Sequence, residues 1–452
     1  MLKSAKIHKY FLNNKYIVLD VNSGGVHVVD KIVYDILDLY EGKSLSDIVE
    51  SLNELYDKNS IVDAYNEISN LVEDGLLFSD ESDIDFSYNN DNIIKAMCLH
   101  VAHDCNLKCS YCFASQGNFK GERSLMSLDI GKKSLEFLVL NSGNRRNLEV
   151  DFFGGEPLMN FELVKDLVSY GRQIEKQYNK KFRFTITTNG VLLDDDKINF
   201  MNENMDNIVL SLDGRKEIND NMRQTINGNG SYDLILPKFK KMVNKRGDKD
   251  YYIRGTFTNK NIDFLNDAMD FYNHGFKKIS IEPVVTSEDM EYALREEHLD
   301  KVLAEYEKFS KEYINIKRKD KDFYFFHFMI DLTQGPCIIK RAVGCGAGSE
   351  YIAVTPEGDI YPCHQFVGEK EFLLGNINEG ILNTNIRNKF KNSNVYTKEE
   401  CKNCWAKFYC SGGCHANAYY SHGDVSKPYR LGCEMEKKRI ECSISILANL
   451  ED

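Results

Sequence analysis

The sequence has no apolar run approaching the roughly 18 residues needed to span a bilayer. Its first residues, MLKSAKIHKYFLNNKYIVLDV, lack the stretch of about seven apolar residues ahead of a cleavage site that marks an export signal. A cytoplasmic protein with no membrane partner is expected. Positive charge is scarce as well: 57 Lys and Arg face 69 Asp and Glu, for a net charge of -12. Phosphate backbones are held by clustered cations, so no nucleic-acid partner is expected. Internal repeats and low-complexity tracts are also missing. At 452 residues the chain exceeds one typical domain, and two or three folded units are expected.

Cysteine, by contrast, is plentiful. Thirteen stand at 98, 105, 109, 112, 337, 345, 363, 401, 404, 410, 414, 433 and 442. Disulfides are rare in a thiol-buffered compartment, which leaves metal ligation as the leading reading.

Residues 5–30 alternate apolar and polar positions around the turns LNNKY and VNSGGVHV, as short antiparallel strands do. The stretches KIVYDILDLYEG, SLSDIVESLNELY and IVDAYNEISNLVEDG then repeat apolar residues at helical spacing, with Ser44 or Ser46 able to cap the second, and LLFS reads as a returning strand. Together, residues 1–80 suggest a winged helix-turn-helix, and the acidity of the segment argues against DNA. Residues 81–94, polar and acidic, read as a linker.

From 95 to 322 strand-like runs (MCLHVAH, LEVDFFGG, FRFTITTNG, NIVLSLDG, YYIRGTFT, KKISIEPV) alternate with long amphipathic helices. Such β-then-α units imply an α/β fold with a parallel sheet, open or curled into a partial barrel, with its chemistry at the carboxyl ends of the strands. Residues 323–344 bridge to a region, 345–452, where Cys, Gly and aromatic residues crowd together. Loops and hairpins held by metal are expected there.

The run HDCNLKCSYC places Cys105, Cys109 and Cys112 just after the first of these strands. Three thiolates on a short loop can bind three irons of a [4Fe-4S] cube and leave the fourth iron without a protein ligand. Zinc is the plainer alternative. It would need Cys98, His100 or His103 as a fourth ligand, and the spacing departs from the paired C-x2-C knuckles of zinc ribbons.

With this C-x3-C-x2-C motif the sequence resembles the radical S-adenosylmethionine (SAM) enzymes. The resemblance implies a partial (β/α)6 barrel, with SAM chelating the open iron and cleaved to a 5'-deoxyadenosyl radical. GGEP (Gly154, Gly155, Glu156, Pro157) looks like the family's site for the SAM amine. By the same resemblance Asn189 of TTNG and Ser211 and Asp213 of SLDG lie near the ribose and carboxylate. Arg223 looks like the carboxylate partner, and Tyr111 is expected at the same cofactor site.

The last third resembles the SPASM extension, which carries two auxiliary [4Fe-4S] clusters and so brings the implied total to three. Matched position by position, Cys401, Cys404, Cys410 and Cys433 would hold auxiliary II, and Cys345, Cys363 and Cys414 auxiliary I. Cys337 is a possible fourth ligand of auxiliary I; without it that iron would be open and able to bind a substrate thiol. Cys98 and Cys442 are expected to be packed thiols. His364, Tyr409 and His415 fall among the ligands with no role assigned.

The first 80 residues resemble the peptide-recognition element of maturases acting on ribosomally made peptides, in which a leader adds a strand to a sheet edge. End to end, the chain resembles the thioether-forming maturases of six-cysteine (SCIFF) peptides. The implied partners are a Cys-rich precursor peptide with its leader and a low-potential electron donor of the flavodoxin or ferredoxin type. An anaerobic sulfatase maturase, which forms formylglycine, is the first alternative; that family places an Asp where this chain has His364. A zinc-stabilised, non-catalytic peptide-binding regulator is the alternative from another class.

Overall fold

The computed structural model describes residues 6–81, 93–330, 332 and 342–451. Strands β1 (Ile7–Leu12), β2 (Lys15–Asp20) and β3 (Val26–Val29) form an antiparallel sheet in that order. The β1–β2 hairpin turns on Asn13 and Asn14, both at positive φ (48° and 63°), as a tight two-residue hairpin requires. Three helices follow, Lys31–Ile36, Leu45–Leu52 and Lys58–Glu73, each started by a side chain that accepts a free backbone N–H: Asp30, Ser44 and Asp57. Ser44, not Ser46, is the cap, and it forms a capping box with Asp47. Their apolar faces, including Ile36, Ile48, Ile61 and Ile68, close a small core around Val18.

The expected strand LLFS is absent. Leu77 and Phe78 are buried in that core, but Phe78 has a positive φ of 51°. Side chains satisfy this backbone in place of a ladder: His27 Nε2 bonds Leu76 O at 3.0 Å, Lys6 Nζ donates to Phe78 O at 3.3 Å, and Asp20 Oδ2 accepts from Ser79 N at 3.0 Å. Most of the expected linker, residues 82–92, lies outside the described residues.

The main sheet begins with β4 (Ala96–His103), flanked at its end by the short β5 (Ser124–Leu125), and runs on through β6 (Asn147–Gly154), β7 (Lys181–Thr188), β8 (Asn207–Ser211), β9 (Asp250–Phe257) and β10 (Lys278–Pro283). From β4 through β6 to β10 each strand pairs in parallel with the next. Helices such as Leu128–Leu140, Phe161–Tyr178 and Leu299–Lys319 connect the strands and pack on one face. The short β11 (Tyr324–Phe325) adds beyond β10. On the other side, β12 (Tyr351–Val354) pairs in parallel with β4, and β13 (Asp359–Tyr361), β14 (Gly375–Asn376) and β15 (Gly380–Ile381) follow antiparallel. With β11 and β15 at opposite ends, the sheet is an open, partial barrel.

Residues 399–422 depart from the expected loops and hairpins. They form helical turns Glu399–Lys402 and Lys407–Cys410 and a helix His415–His422. The cysteine spacing explains this: a helical turn brings residues three apart, such as Cys401 and Cys404, to one side, where a strand would put them on opposite faces. The last helix, Arg430–Leu450, packs along Leu299–Lys319 and also carries the N-terminal sheet. His8 Nε2 meets Glu441 Oε1 at 2.9 Å, Tyr10 donates to the Glu441 carbonyl at 3.0 Å, and the His8 ring stacks on Trp405 at 3.7 Å. Cys98 and Cys442 are fully buried, in line with packed thiols. Cys337 lies outside the described residues, as does most of 331–341.

Gly171 lets the helix Phe161–Tyr178 lie directly on β7, because a Cβ there would stand 2.7 Å from Cζ of the fully buried Phe184. Gly171→Ala is expected to overpack this contact and destabilise the protein by about 1–3 kcal/mol. A lower urea midpoint with an unchanged far-UV circular dichroism spectrum would show it.

Candidate active site

Cys105 follows β4 directly, and the loop that carries it is pinned from two sides. Leu107 bridges Thr225, Lys108 N donates to Gln224 O at 2.8 Å, and Ser110 N to Met222 O at 2.8 Å, which sets Arg223 beside the loop. From the other side, Asn189 at the end of β7 donates through Nδ2 to Asn106 Oδ1 at 2.8 Å and to Cys105 Sγ at 3.7 Å. Leu107 N also donates to Cys105 Sγ at 3.4 Å. Burial pushes the Cys105 thiol up to about 12 and Cys109 up to about 11; the neighbouring thiols act on each other in the same direction. Cys105, Cys109 and Cys112 therefore lie within electrostatic reach of one another, in a setting that disfavours three free thiolates and suits thiolates bound to a cationic centre.

The end of β6 presses against this loop. Gly155 N donates to Ala102 O and Glu156 N to Asp104 O, both at 2.8 Å. A Cβ at Gly154 would stand 2.1 Å from Ala102 O, and one at Gly155 2.2 Å from Asp104 O, so glycine is required at both. Pro157 opens the short turn that follows. The Glu156 side chain is 1% exposed and turned inward: it accepts from Leu158 N (3.0 Å), Thr188 Oγ1 (2.7 Å) and Asn189 N (2.8 Å), bracing the ends of β6 and β7 together. Burial raises its carboxyl, and these three donors oppose the shift.

Ser211 ends β8, and Asp213, fully buried, accepts from Tyr111 at 2.5 Å and from Thr256 N at 3.1 Å. Arg223 donates through Nη1 to the Tyr111 hydroxyl at 2.8 Å, and its Nε is a buried donor with no partner. The sequence-predicted residues Tyr111, Asp213 and Arg223 thus form one hydrogen-bonded group next to Cys109, which the Arg223 charge reaches.

In the C-terminal region Cys401, Cys404, Cys410 and Cys433 line one cavity of about 420 Å³. Cys345, Cys363 and Cys414 act electrostatically on one another and form a separate group. Among the described residues, no three His, Cys, Asp or Glu side chains close around a single-ion site. His364 follows Cys363 and bonds the Tyr351 hydroxyl through Nδ1 at 3.1 Å; burial, with Arg254 adding, brings its imidazole down to about 3.

Sequence reasoning missed the polar lining of the barrel. Asp151 (β6), Arg254 (β9) and Glu282 (β10) sit at positions that alternate with buried apolar residues of their strands, and the Arg254 charge acts on both carboxyls. Glu282 Oε1 lies 3.2 Å from His327 Nε2, whose Nδ1 accepts from Arg439 at 2.7 Å. The available signal was the alternation itself: polar residues recur at every second position of β6 (Glu149, Asp151), β9 (Arg254, Thr256) and β10 (Ser280, Glu282), whereas a parallel strand covered on both faces is near-continuously apolar. A buried pair on β4, His100 and His103, bonded at 3.1 Å, was weighed only as a source of zinc ligands.

Comparison with known families accounts for the arrangement. Residues 99–259 match the Radical SAM superfamily, and residues 345–405 match the SPASM iron-sulfur cluster-binding domain. The chain carries a radical SAM domain followed by a SPASM domain. These domains imply [4Fe-4S] clusters and SAM as cofactors. The chain is similar to the cysteine-type anaerobic sulfatase-maturating enzyme of Clostridium novyi (strain NT), at 26% identity over 372 residues, covering 77% of this chain and 94% of that one. It is 21% identical over 443 residues to the radical SAM cyclopropyl synthase TigE of Paramaledivibacter caminithermalis, covering 92% and 89%. A solved structure of anSMEcpe with bound AdoMet and Kp18Cys peptide has the same fold, with a TM-score of 0.64 at 21% identity over 78% of this chain and 98% of that chain.

Side chains of the radical SAM and SPASM domains fit the implied groups. The unpartnered Arg223 Nε is a buried donor suited to a carboxylate, Cys105 receives the N–H donors that a thiolate wants, and four thiols of the C-terminal region surround one cavity.

Gly155→Ala is expected to force the β6 end off the Cys105 loop and to cost the radical SAM domain its share of iron, roughly four atoms per chain, which iron analysis of the reconstituted protein reads. Asp151 gives a second prediction. Burial pushes its carboxyl up to about 7 from 3.8, against the pull of Arg254. A carboxyl raised on folding binds its proton more tightly in the folded state, so its contribution is present at low pH and lost as pH rises through that window. Asp151→Asn should flatten the fall in urea midpoint between about pH 4 and 7.

Proposed function

We propose that the protein is a peptide maturase that installs thioether crosslinks, sulfur to carbon, in a ribosomally made Cys-rich peptide. The observation that carries this reading is the N-terminal sheet, fixed to the last helix by His8 and Tyr10 and to Trp405 by the His8 ring, with β3 as an edge strand and Val28 on it 49% exposed. In this reading residues 1–80 are a winged-helix element whose β3 edge takes a leader peptide as an added strand. The same docking holds that leader on the body carrying both cysteine-rich regions.

Cys105, Cys109 and Cys112 hold the SAM cluster. Cys401, Cys404, Cys410 and Cys433 hold a second, and Cys345, Cys363 and Cys414 a third, with Cys337 as its possible fourth ligand. When bound, the first cluster and SAM supply a 5'-deoxyadenosyl radical that removes hydrogen from the peptide. The chain's own residues orient that cofactor. Arg223, steadied by Tyr111 and Asp213, pairs with the SAM carboxylate. The Gly154–Pro157 backbone and Glu156 frame the amine, with Asn189 and Ser211 near the ribose. Asp151, Arg254, Glu282 and His327 line the space the peptide enters. A reductant of the flavodoxin or ferredoxin type supplies the electron.

A second reading, a formylglycine-forming sulfatase maturase, is favoured by the 26% identity to the Clostridium novyi enzyme. The position after Cys363 weighs against it: His364, bonded to Tyr351 and brought down to about 3, stands where that family places its general-base Asp.

The test is anaerobic incubation of the full chain with SAM, reductant and a Cys-rich precursor peptide, read by mass spectrometry. Thioether formation predicts 5'-deoxyadenosine, loss of two hydrogens per crosslink, and one fewer cysteine open to alkylation for each. A peptide aldehyde would select the second reading, and no deoxyadenosine at all would remove both. Cys109→Ala is expected to abolish deoxyadenosine formation while leaving leader binding intact.

A further inference from the structure

Beside the SPASM cysteines lies a buried cation that none of the roles above uses. Lys398 is 2% exposed, and its ammonium donates to one protein acceptor, the Gly412 carbonyl, at 2.7 Å. No carboxylate lies within ion-pair distance of it among the described residues. Other lysines and arginines near these cysteines do have one. Lys407, also 2% exposed, pairs with Glu81 at 2.8 Å; Lys437 pairs with Glu434 at 2.8 Å; Arg439 pairs with Glu436.

A buried ammonium without a counter-charge is strongly unfavourable. The anions in reach of Lys398 are the thiolates a cluster would create. Cys401, Cys410 and Cys433 act on it from one group and Cys414 from the other. Its acceptor, Gly412, lies in the turn that joins Cys410 to Cys414 and so links the two groups.

We propose that Lys398 is the built-in counter-cation of both auxiliary cluster sites, placed between them to hold their reduction potentials up. The proposal rests on the reading above that Cys401, Cys404, Cys410 and Cys433, and Cys345, Cys363 and Cys414, each hold a cluster. Adding an electron to a cluster is easier next to a fixed positive charge, since net charge and surrounding dipoles set the potential. Forming a carbon-sulfur bond between a thiolate and a carbon radical leaves one electron to be removed. A nearby centre held at higher potential accepts that electron more readily.

The experiment is an EPR-monitored redox titration of the anaerobically reconstituted full chain. It is done in a Cys105→Ala, Cys109→Ala, Cys112→Ala background, so that only auxiliary centres respond. Lys398→Met is expected to shift their midpoint potentials downward with iron content unchanged, and Lys398→Arg, which keeps the charge, to stay close to the parent. Selective loss of auxiliary iron in Lys398→Met but not in Lys398→Arg would also support a counter-charge. Unchanged potentials at full iron in Lys398→Met would overturn the proposal, as would equal shifts or equal iron loss in both variants, the mark of a merely structural contact with Gly412. Deoxyadenosine formation by the unmutated protein is assayed in parallel. Its failure would strike the functional reading and leave the comparison of potentials standing.

Discussion

The ends of β4 and β6 touch backbone to backbone, and much of the site follows from that contact. Two glycines allow it, since any Cβ at 154 or 155 would collide with the carbonyls of Ala102 or Asp104. The contact fixes where Cys105 leaves the sheet. Glu156 then extends the brace to β7 through Thr188 and Asn189, and Asn189 returns to the loop through Asn106 and the Cys105 sulfur. Three strand ends and one cysteine loop thus move as a unit. The apolar body of the barrel, with Phe152, Phe182 and Phe184 fully buried, gives that unit a rigid support. Preorganisation of this kind fixes the positions of reacting groups before a ligand arrives.

Charge is distributed unevenly around this frame. In the radical SAM domain the buried Arg223 beside the Cys105 loop is held by Tyr111 and Asp213 with a donor to spare. In the barrel interior Glu282 lies 3.2 Å from His327, which Arg439 contacts on its other ring nitrogen. The SPASM domain has buried lysines, one matched to a carboxylate and one matched only to a carbonyl.

Much of this was legible in the sequence. The six strands of the barrel lie within about three residues of their apolar runs, whereas the division of the thiols into three groups came from the family resemblance, since spacing alone sets Cys414 with Cys401, Cys404 and Cys410. The motifs at strand ends, Tyr111, Asp213 and Arg223 among them, meet in space because parallel strands deliver their carboxyl ends to one side. What stayed hidden depends on contacts distant in sequence. The pairing of β12 with β4, the stacking of His8 on Trp405 and the isolation of Lys398 leave no local pattern. LLFS shows a further limit: its apolar residues are buried as a strand's would be, but Asp20, His27 and Lys6 satisfy its backbone, and side chains that far away cannot be read from periodicity. The helical turns at 399–410 were masked by a composition dense in Cys and aromatic residues, which carries no helical period.

The parallel pairing of β12 with β4 has a consequence for how the molecule can be divided. Tyr351 to Val354 cover the flank of Ala96 to Leu99, so the barrel's first strand is an interior strand only while the C-terminal region is present. A fragment ending before residue 345 would expose a row of unsatisfied N–H and C=O groups along one of the most apolar strands in the protein, a template for intermolecular stacking. The radical SAM domain therefore closes one flank of its first strand only with a strand that arrives some 250 positions later in the chain.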